Sequence, residues 1–394
     1  MDSTDSTDST DSTDPTATQA QQISGLSTAR LARALSRLDT WVAEGRSPGV
    51  AAVVVRRGEA VGHRFVGLAD PLGESTRKLG PQTIFPLGSI AKPVSAVVAM
   101  RLVEAGDVLL DDPVARFVPE FGRLGKESIR VRHLLSHTSG LPDSLPNNEA
   151  LRKRREALPA YVRAACRLEP SFVPGTRVLY SNPGILVLGE IVERVYGQPF
   201  AEVAEQTLFR PFGLASMSYR PSPDAYAEIA RLRLPEGRKP TLWDSNSAYW
   251  RQLGSAWGGL FSTADDLARF GQLFLEAMFG RPDHSAEPAR SEPMLGTAAA
   301  RAMARSQTEG IQTASGDPEA WGLGWALPGH HVANWAGDLS SPATFGHIGA
   351  SGALWIDPAA ELVCVVLTSD TTDWTTEHRR FAAFANAVQG SLTG

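Results

Sequence analysis

Apolar runs near the two ends of the chain predict two β-hairpins. Residues 49–55 form a first apolar run, residues 57–59 supply a turn, and residues 60–66 follow as a second run. Residues 352–356 and 362–367 repeat this arrangement near the other end. Short apolar runs that are bounded by turn residues are typical of strands joined by tight turns.

Between these hairpins, and at both ends of the chain, apolar residues recur at the spacing of amphipathic helices. The segments with this spacing are 27–45, 89–106, 149–168, 183–197, 199–208, 263–280 and 378–392. Terminal strands and central helices predict an α/β (α+β) fold, in which an antiparallel sheet flanked by helices carries an inserted, mostly helical region. We expect residues 25–88 with 300–394 to form the sheet domain and residues 89–299 to form the helical domain.

The distribution of charge along the chain limits the kinds of partner that we expect the protein to bind. The 394-residue chain has a net charge of -5, and its first fourteen residues repeat Asp-Ser-Thr and contain five Asp. We expect residues 1–24 to be a disordered acidic tail, because they have almost no apolar surface to bury. The rest of the chain is neutral overall, which does not fit a nucleic-acid binder. No apolar run approaches the roughly 18–20 residues of a membrane span, and no secretory signal is seen, so we expect a cytoplasmic protein.

A Ser-x-x-Lys pattern, which is typical of a nucleophilic serine beside a basic lysine, occurs twice. Ser75 and Lys78 form the first match, but Gly-Pro follows closely and breaks any helix. Ser89 and Lys92 form the second, which opens the apolar stretch 94–103. Residues three apart on a helix share a face, so this Lys would lie beside the Ser hydroxyl. A Lys can act as a base there only if burial or nearby positive charge lowers its pKa.

Two further polar motifs follow in order. Tyr180 and Asn182 lie in a loop before a predicted helix, where a phenol could pass a proton to a leaving group and an amide could hold a carbonyl. His347 and Gly349 precede a predicted strand, where the glycine allows close approach of another backbone and the Ala350 N–H could stabilise an oxyanion. Each residue taken alone has a simpler explanation: a half-buried Tyr, a turn Asn, and a loop or core His.

In this order, the three motifs resemble those of the serine β-lactamase and penicillin-binding-protein superfamily, specifically its class C β-lactamase-like branch, which includes family VIII-type esterases. Secondary matches lie at residues 133–142, 257–263 and 322–325, and the resemblance covers residues 30 to 390. It implies an antiparallel sheet flanked by helices, with the active site between this sheet and a helical region. It also implies no cofactor and a small ester or amide substrate.

The resemblance implies a role for each residue of the first two motifs. Ser89 attacks the acyl carbon and forms an acyl-enzyme. Lys92 and Tyr180 share the proton transfers, and either one could be the general base. Asn182 positions the substrate and Lys92.

The third motif departs from the usual pattern of the family. The resemblance implies that His347 and Gly349 line the edge of the sheet, and that the N–H groups of Ser89 and Ala350 form the oxyanion hole. β-Lactamases and D,D-peptidases usually have Lys where this chain has His347. A Lys offers a fixed positive charge to a substrate carboxylate, whereas a His with a pKa near ~6.5 is mostly neutral at pH 7. His at this place resembles the family's esterases and related hydrolases.

We therefore predict a serine hydrolase, with a carboxylesterase of short acyl esters as the first hypothesis. The alternatives are a β-lactamase, a D-amino-acid amidase or peptidase, and an acyltransferase. A relative that has lost catalysis and only binds a ligand is the alternative outside the enzymes. Four tryptophans in loop-like stretches suggest an aromatic-walled pocket, although core packing explains them equally well: Trp243, Trp250, Trp257 and Trp321.

Two competing patterns are set aside. His133 and His137 have the spacing of a helical zinc motif, but the usual Glu is absent and Ser139-Gly140 ends any helix, so we expect no metal site. Ser47 lies in a Gly-x-Ser-x-Gly pattern, but a helix precedes it and a strand follows, which reverses the order of a nucleophile elbow.

Overall fold

The computed structural model describes residues 25–73, 76–281, 293–314, 319–328, 334–371 and 374–393, with the side chains of 374–377 excepted. The expected acidic tail, residues 1–24, and Ser75 of the first Ser-x-x-Lys match lie outside the described residues. Among the described helices, none is long and apolar enough to cross a membrane.

The secondary structure follows the order of elements expected from the sequence. The strands are β1 (Gly49–Arg56), β2 (Glu59–Gly67), β3 (Phe85–Pro86), β4 (Arg177–Val178), β5 (Phe261–Ser262), β6 (Gln312–Thr313), β7 (Phe345–Gly349), β8 (Gly352–Asp357) and β9 (Leu362–Thr368). The helices are α1 (Thr28–Ala43), α2 (Ala91–Ala105), α3 (Val131–Leu135), α4 (Asn148–Lys153), α5 (Leu158–Ala165), α6 (Asn182–Tyr196), α7 (Phe200–Ala204), α8 (Ala248–Leu253), α9 (Ala264–Phe279), α10 (Thr297–Ala304) and α11 (Trp374–Gln389). A π-helical turn, Glu205–Phe209, continues α7.

Strands from both ends of the chain form one five-stranded sheet in the order β2-β1-β9-β8-β7, and every neighbouring pair is antiparallel. Both predicted hairpins are present, as β1–β2 and β8–β9. The central pairing of β1 with β9 places Val54 opposite Cys364 and joins the two ends of the chain. The predicted fold, an antiparallel sheet flanked by helices, is confirmed.

Helices cover both faces of the central strands, which explains why β1 is apolar without alternation. Val50, Ala52 and Val54 pack in a cluster with residues of α1 and α11. Their neighbours along the strand point the other way, into the large core shared with α9 and the helical region. The division into sheet and helical domains stays a prediction, and α9, which we assigned to the helical domain, packs on β1 and β9.

The predicted helix 149–168 is two helices, α4 and α5, joined by a short loop. Pro159 lies in the first turn of α5, where its missing N–H costs nothing. Farther inside a helix the same ring would clash with the carbonyl four residues earlier, here that of Arg155. Arg155 has a φ of 52°, which is outside the helical region. The break turns α4 into a short separate helix whose position matters for the pocket described below.

Candidate active site

Ser89 lies in a 3-10 turn, Gly88–Ile90, that leads directly into α2 and rests against the end of β7. Two glycines make this contact possible. A Cβ on Gly349 would lie 2.0 Å from the Leu87 carbonyl oxygen. Gly88 has a φ of +57°, and its Cβ would lie 2.7 Å from the Ala350 nitrogen. The space beside Gly349 is therefore filled by the backbone that precedes Ser89, and Ala350 lies next to the same turn.

Lys92 is on the first turn of α2 and is completely buried. Its Nζ lies 2.9 Å from Ser89 Oγ and donates to the Trp257 carbonyl oxygen at 2.8 Å. Burial lowers the pKa of Lys92 to about 7, and the nearby Asp143 carboxylate opposes the shift. A substantial fraction of Lys92 is therefore neutral at pH 7, so its lone pair is available to take a proton.

Tyr180 reaches the same hydroxyl from the loop before α6. Its OH donates to Ser89 Oγ at 2.8 Å, and its ring lies 4.8 Å from Lys92 Nζ. Burial raises the pKa of Tyr180 above its usual value, so it is a phenol and not a phenolate at neutral pH. Ser181 fixes the loop, because its Oγ accepts the Gly184 N–H at 3.1 Å and caps α6.

Asn182 is the first residue of α6 and lies at the mouth of the site. Its Nδ2 donates to the Asp143 backbone oxygen at 3.0 Å and to Asp143 Oδ1 at 3.2 Å. The structure thus brings Ser89, Lys92 and Tyr180 into direct hydrogen-bond contact, whereas the Asn182 amide is bonded to Asp143 instead of Lys92. Its connection with Lys92 is indirect, through the charge of Asp143.

His347 lies on β7 and is buried. Its Nδ1 is 2.6 Å from the Ile348 carbonyl oxygen. Because a carbonyl can only accept, Nδ1 carries the proton and Nε2 presents a lone pair. Burial, reinforced by the charge of Lys92, lowers the pKa of His347 to about 3. His347 is therefore neutral at pH 7 and cannot supply the fixed positive charge of the usual Lys.

Sequence reasoning missed His137 as a part of this site. Its buried Nδ1 accepts the Ser181 N–H at 3.2 Å, so its Nε2 carries the proton. Its ring lies 4.7 Å from that of Tyr180 and 4.3 Å from that of Trp321, and it supports the Tyr180 ring from behind. The stretch 133–142 stood out as a secondary match, and this was the available signal.

The other sequence candidates lie elsewhere. His133 Nδ1 accepts the Arg130 N–H at 3.1 Å, apart from His137. In the described ranges, no group of three or more His, Cys, Asp or Glu side chains is arranged to hold a metal ion. Ser47 is buried between α1 and β1, and its Oγ donates to the Gly49 oxygen at 3.0 Å. Lys78 is exposed.

A cavity of about 190 Å³ opens beside Ser89. Its wall combines polar groups with apolar and aromatic side chains, and its lining consists of Gly88, Ser89, Ser144, Leu145, Asn148, Arg152, Asn182, Pro183, Leu186, Trp250, Trp257, Gly258 and Ala350. Of the four tryptophans singled out in the sequence, Trp250 and Trp257 line this cavity.

A family model described as Beta-lactamase matches residues 29–387. The chain belongs to the beta-lactamase family. Over 380 residues it is 31% identical to esterase EstB of Burkholderia gladioli, a match that covers 87% of this chain and 92% of that protein. Over 351 residues it is 29% identical to penicillin-binding protein 4 of Amycolatopsis lactamdurans, with 84% of each chain covered.

Solved structures of other proteins share the fold of this chain. EstCE1, described as a hydrolase with promiscuous acyltransferase activity, superposes with a TM-score of 0.75 at 23% identity and covers 92% of this chain and 99% of its own. The family and its relatives show that this protein is a serine hydrolase. They leave the substrate open, because the relatives include an esterase, a penicillin-binding protein and proteins named as D-alanyl-D-alanine carboxypeptidases.

Proposed function

We propose that this protein is a carboxylesterase that hydrolyses short acyl esters through an acyl-enzyme on Ser89. The observation that carries the proposal is the neutral, buried His347, which occupies the place where relatives acting on β-lactams or D-Ala-D-Ala peptides usually have a charged Lys. An ester needs no cation at that position. The similarity to esterase EstB supports the same choice.

The hydrogen bonds around Ser89 support Lys92 as the general base. In its neutral form, Lys92 donates one N–H to the Trp257 carbonyl and directs its lone pair at the Ser89 hydroxyl. The hydroxyl proton moves to Nζ as Oγ attacks the acyl carbon, which gives a tetrahedral oxyanion. The oxyanion lies between the N–H groups of Ser89 and Ala350, at the start of α2, where the helix dipole also favours negative charge.

Tyr180 is the general acid that protonates the leaving alcohol. Its raised pKa keeps the proton on the phenol until the departing alkoxide needs it. Lys92, now protonated, restores that proton to Tyr180, since Lys92 Nζ and the Tyr180 hydroxyl both lie within hydrogen-bond distance of Ser89 Oγ. Water then attacks the acyl carbon and passes a proton back through the same groups. The ester C–O bond breaks in the first half, the Ser89–acyl bond breaks in the second, and the products are an acid and an alcohol.

Two measurements test the proposal. A fluorophosphonate probe should label the wild type and Ser36→Ala, an exposed control on α1, but not Ser89→Ala. The wild type should turn over p-nitrophenyl acetate or butyrate faster than a chromogenic cephalosporin. Strong cephalosporin turnover with negligible ester turnover would favour the β-lactamase alternative, and a folded protein that is never labelled would favour the ligand-binding alternative.

A further inference from the structure

Arg152, on α4, contributes an unpaired positive charge to the cavity that Ser89 also lines. Its guanidinium lies over the Trp250 ring, 4.2 Å from the centroid, which holds the group against the wall. Its Nε is buried and has no hydrogen-bond partner. Within the described part of the chain, no carboxylate lies within ion-pair distance of this guanidinium. A guanidinium keeps its charge even when partly buried, so the wall is cationic.

The polar groups around Arg152 do not neutralise it. The Asp244 carboxylate acts on it only at a distance, and its oxygens accept the N–H groups of Thr241 at 2.5 Å and Asn246 at 2.9 Å. Tyr161 and Tyr249, the other two groups that influence it, share a hydrogen bond of 2.7 Å between their hydroxyls. Burial raises the pKa of both phenols, so they are uncharged at pH 7. The charge therefore remains available to an anion in the cavity.

The cavity lies on the acyl side of the reaction. Ser89 and Ala350, which hold the acyl carbon and its oxyanion under the proposed function, both line it. Tyr180 and His347 do not line it, and Tyr180 is the group that protonates the departing alcohol. The alcohol therefore leaves on the Tyr180 side, and the acyl chain extends into the cavity toward Arg152. This assignment rests on the proposed function.

We propose that the physiological substrate is a monoester of a dicarboxylic acid, and that Arg152 binds the free carboxylate at the far end of its acyl chain. The guanidinium offers a planar pair of donors that matches a carboxylate, and the apolar side chains of Leu145, Leu186 and Trp257 surround the methylenes between the two ends. The reaction remains hydrolysis of one ester bond by water. It gives the dicarboxylic acid and an alcohol, and Arg152 is a specificity residue that touches no reacting atom.

The test compares substrates that differ only at the chain end. Monoethyl succinate, glutarate and adipate are paired with ethyl butanoate, pentanoate and hexanoate, and released ethanol is measured at pH 7.5. For at least one pair, we expect the wild type to have a kcat/KM about 10- to 100-fold higher for the anionic ester, as expected for a charge-assisted hydrogen bond. Arg152→Gln should remove this preference mainly by raising the KM of the anionic ester, and Arg152→Lys should restore part of it.

Arg163→Gln, which removes one charge from an exposed position on α5, is the matched control and should keep the preference. If the wild type hydrolyses neutral esters but shows no preference in any pair, the carboxylate proposal is wrong and the esterase stands. If the wild type hydrolyses neither class of ester, the proposed esterase activity is itself wrong. If Arg152→Gln lowers both esters equally, Arg152 has only a structural role. If Arg152→Gln does not fold, the preference of the wild type still tests the dicarboxylic substrate, and Arg152→Lys compared with Arg163→Gln tests the residue.

Discussion

Replacing Lys92 by Met should abolish activity and at the same time stabilise the protein. In the unfolded chain Lys92 has its ordinary pKa of 10.5, and in the fold burial lowers this pKa to about 7. Because the folded pKa is lower, the destabilisation is fully present below pH 7, decreases progressively as the pH rises from 7 to 10.5, and is absent above pH 10.5. At about 1.4 kcal/mol per pKa unit, the shift corresponds to about 5 kcal/mol at pH 6.5.

Part of this gain is offset in the variant. Met cannot donate to the Trp257 carbonyl or bond to Ser89, and a carbonyl left unsatisfied costs about 1–3 kcal/mol. We therefore expect Lys92→Met to raise the free energy of unfolding by about 1–3 kcal/mol at pH 6.5, with little or no gain near pH 10. Urea unfolding at several pH values measures the difference, and Lys153→Met, at an exposed position, is the control that should show no such trend.

The pH trend separates this explanation from simple repacking. A difference between wild type and Lys92→Met that stays constant from pH 6.5 to 10 would contradict the depressed pKa. A variant that is less stable than the wild type at pH 6.5 would show that the hydrogen bonds of Lys92 outweigh its desolvation. Either result would also weaken the case for Lys92 as the base.

Three further predictions concern the same site. The kcat/KM of the wild type for a neutral ester should rise with pH to a plateau above an apparent pKa near 7, because neutral Lys92 is the active form; an inflection only below pH 5 would contradict this. Tyr180→Phe should lower kcat/KM about 10²-fold or more for an ethyl ester but much less for a p-nitrophenyl ester, whose leaving group needs no proton, and equal losses would contradict its assignment. Gly349→Ala should cost about 1–3 kcal/mol of stability and displace Ser89, because its Cβ would meet the Leu87 oxygen at 2.0 Å, whereas Gly80→Ala, which faces open space, should be nearly neutral in urea unfolding.

The sequence predicted the sheet well because its strands carry a local signal. The runs 49–55 and 362–367 are apolar at every position or nearly so, and burial between two helical layers accounts for that pattern. The break between α4 and α5 was missed, although Pro159 marked it. Apolar spacing alone continues across such a break, because the residues on both sides still face the same core.

At the site, local motifs predicted Ser89, Lys92 and Tyr180, which the structure brings into contact. Arg152 and His137 could not be assigned in this way. Arg152 is held at the cavity by stacking on Trp250, which comes about a hundred residues later in the chain. A contact between residues so far apart leaves no local pattern in the sequence. The bonding of Asn182 to Asp143 likewise joins two segments that only the fold brings together.

Trp257 belongs both to the wall of the cavity and to the hydrogen bonds that hold Lys92. Its indole lines the cavity and packs on Trp250, at a centroid separation of 6.4 Å, while its carbonyl receives the Lys92 N–H. Substitutions of Trp257 that change the acyl preference would therefore also displace Lys92, the general base. Trp250 packs on the Trp257 ring and lies farther from the reacting groups. Laboratory evolution toward new acyl groups should accumulate substitutions at Trp250 and on α4 and should leave Trp257 unchanged.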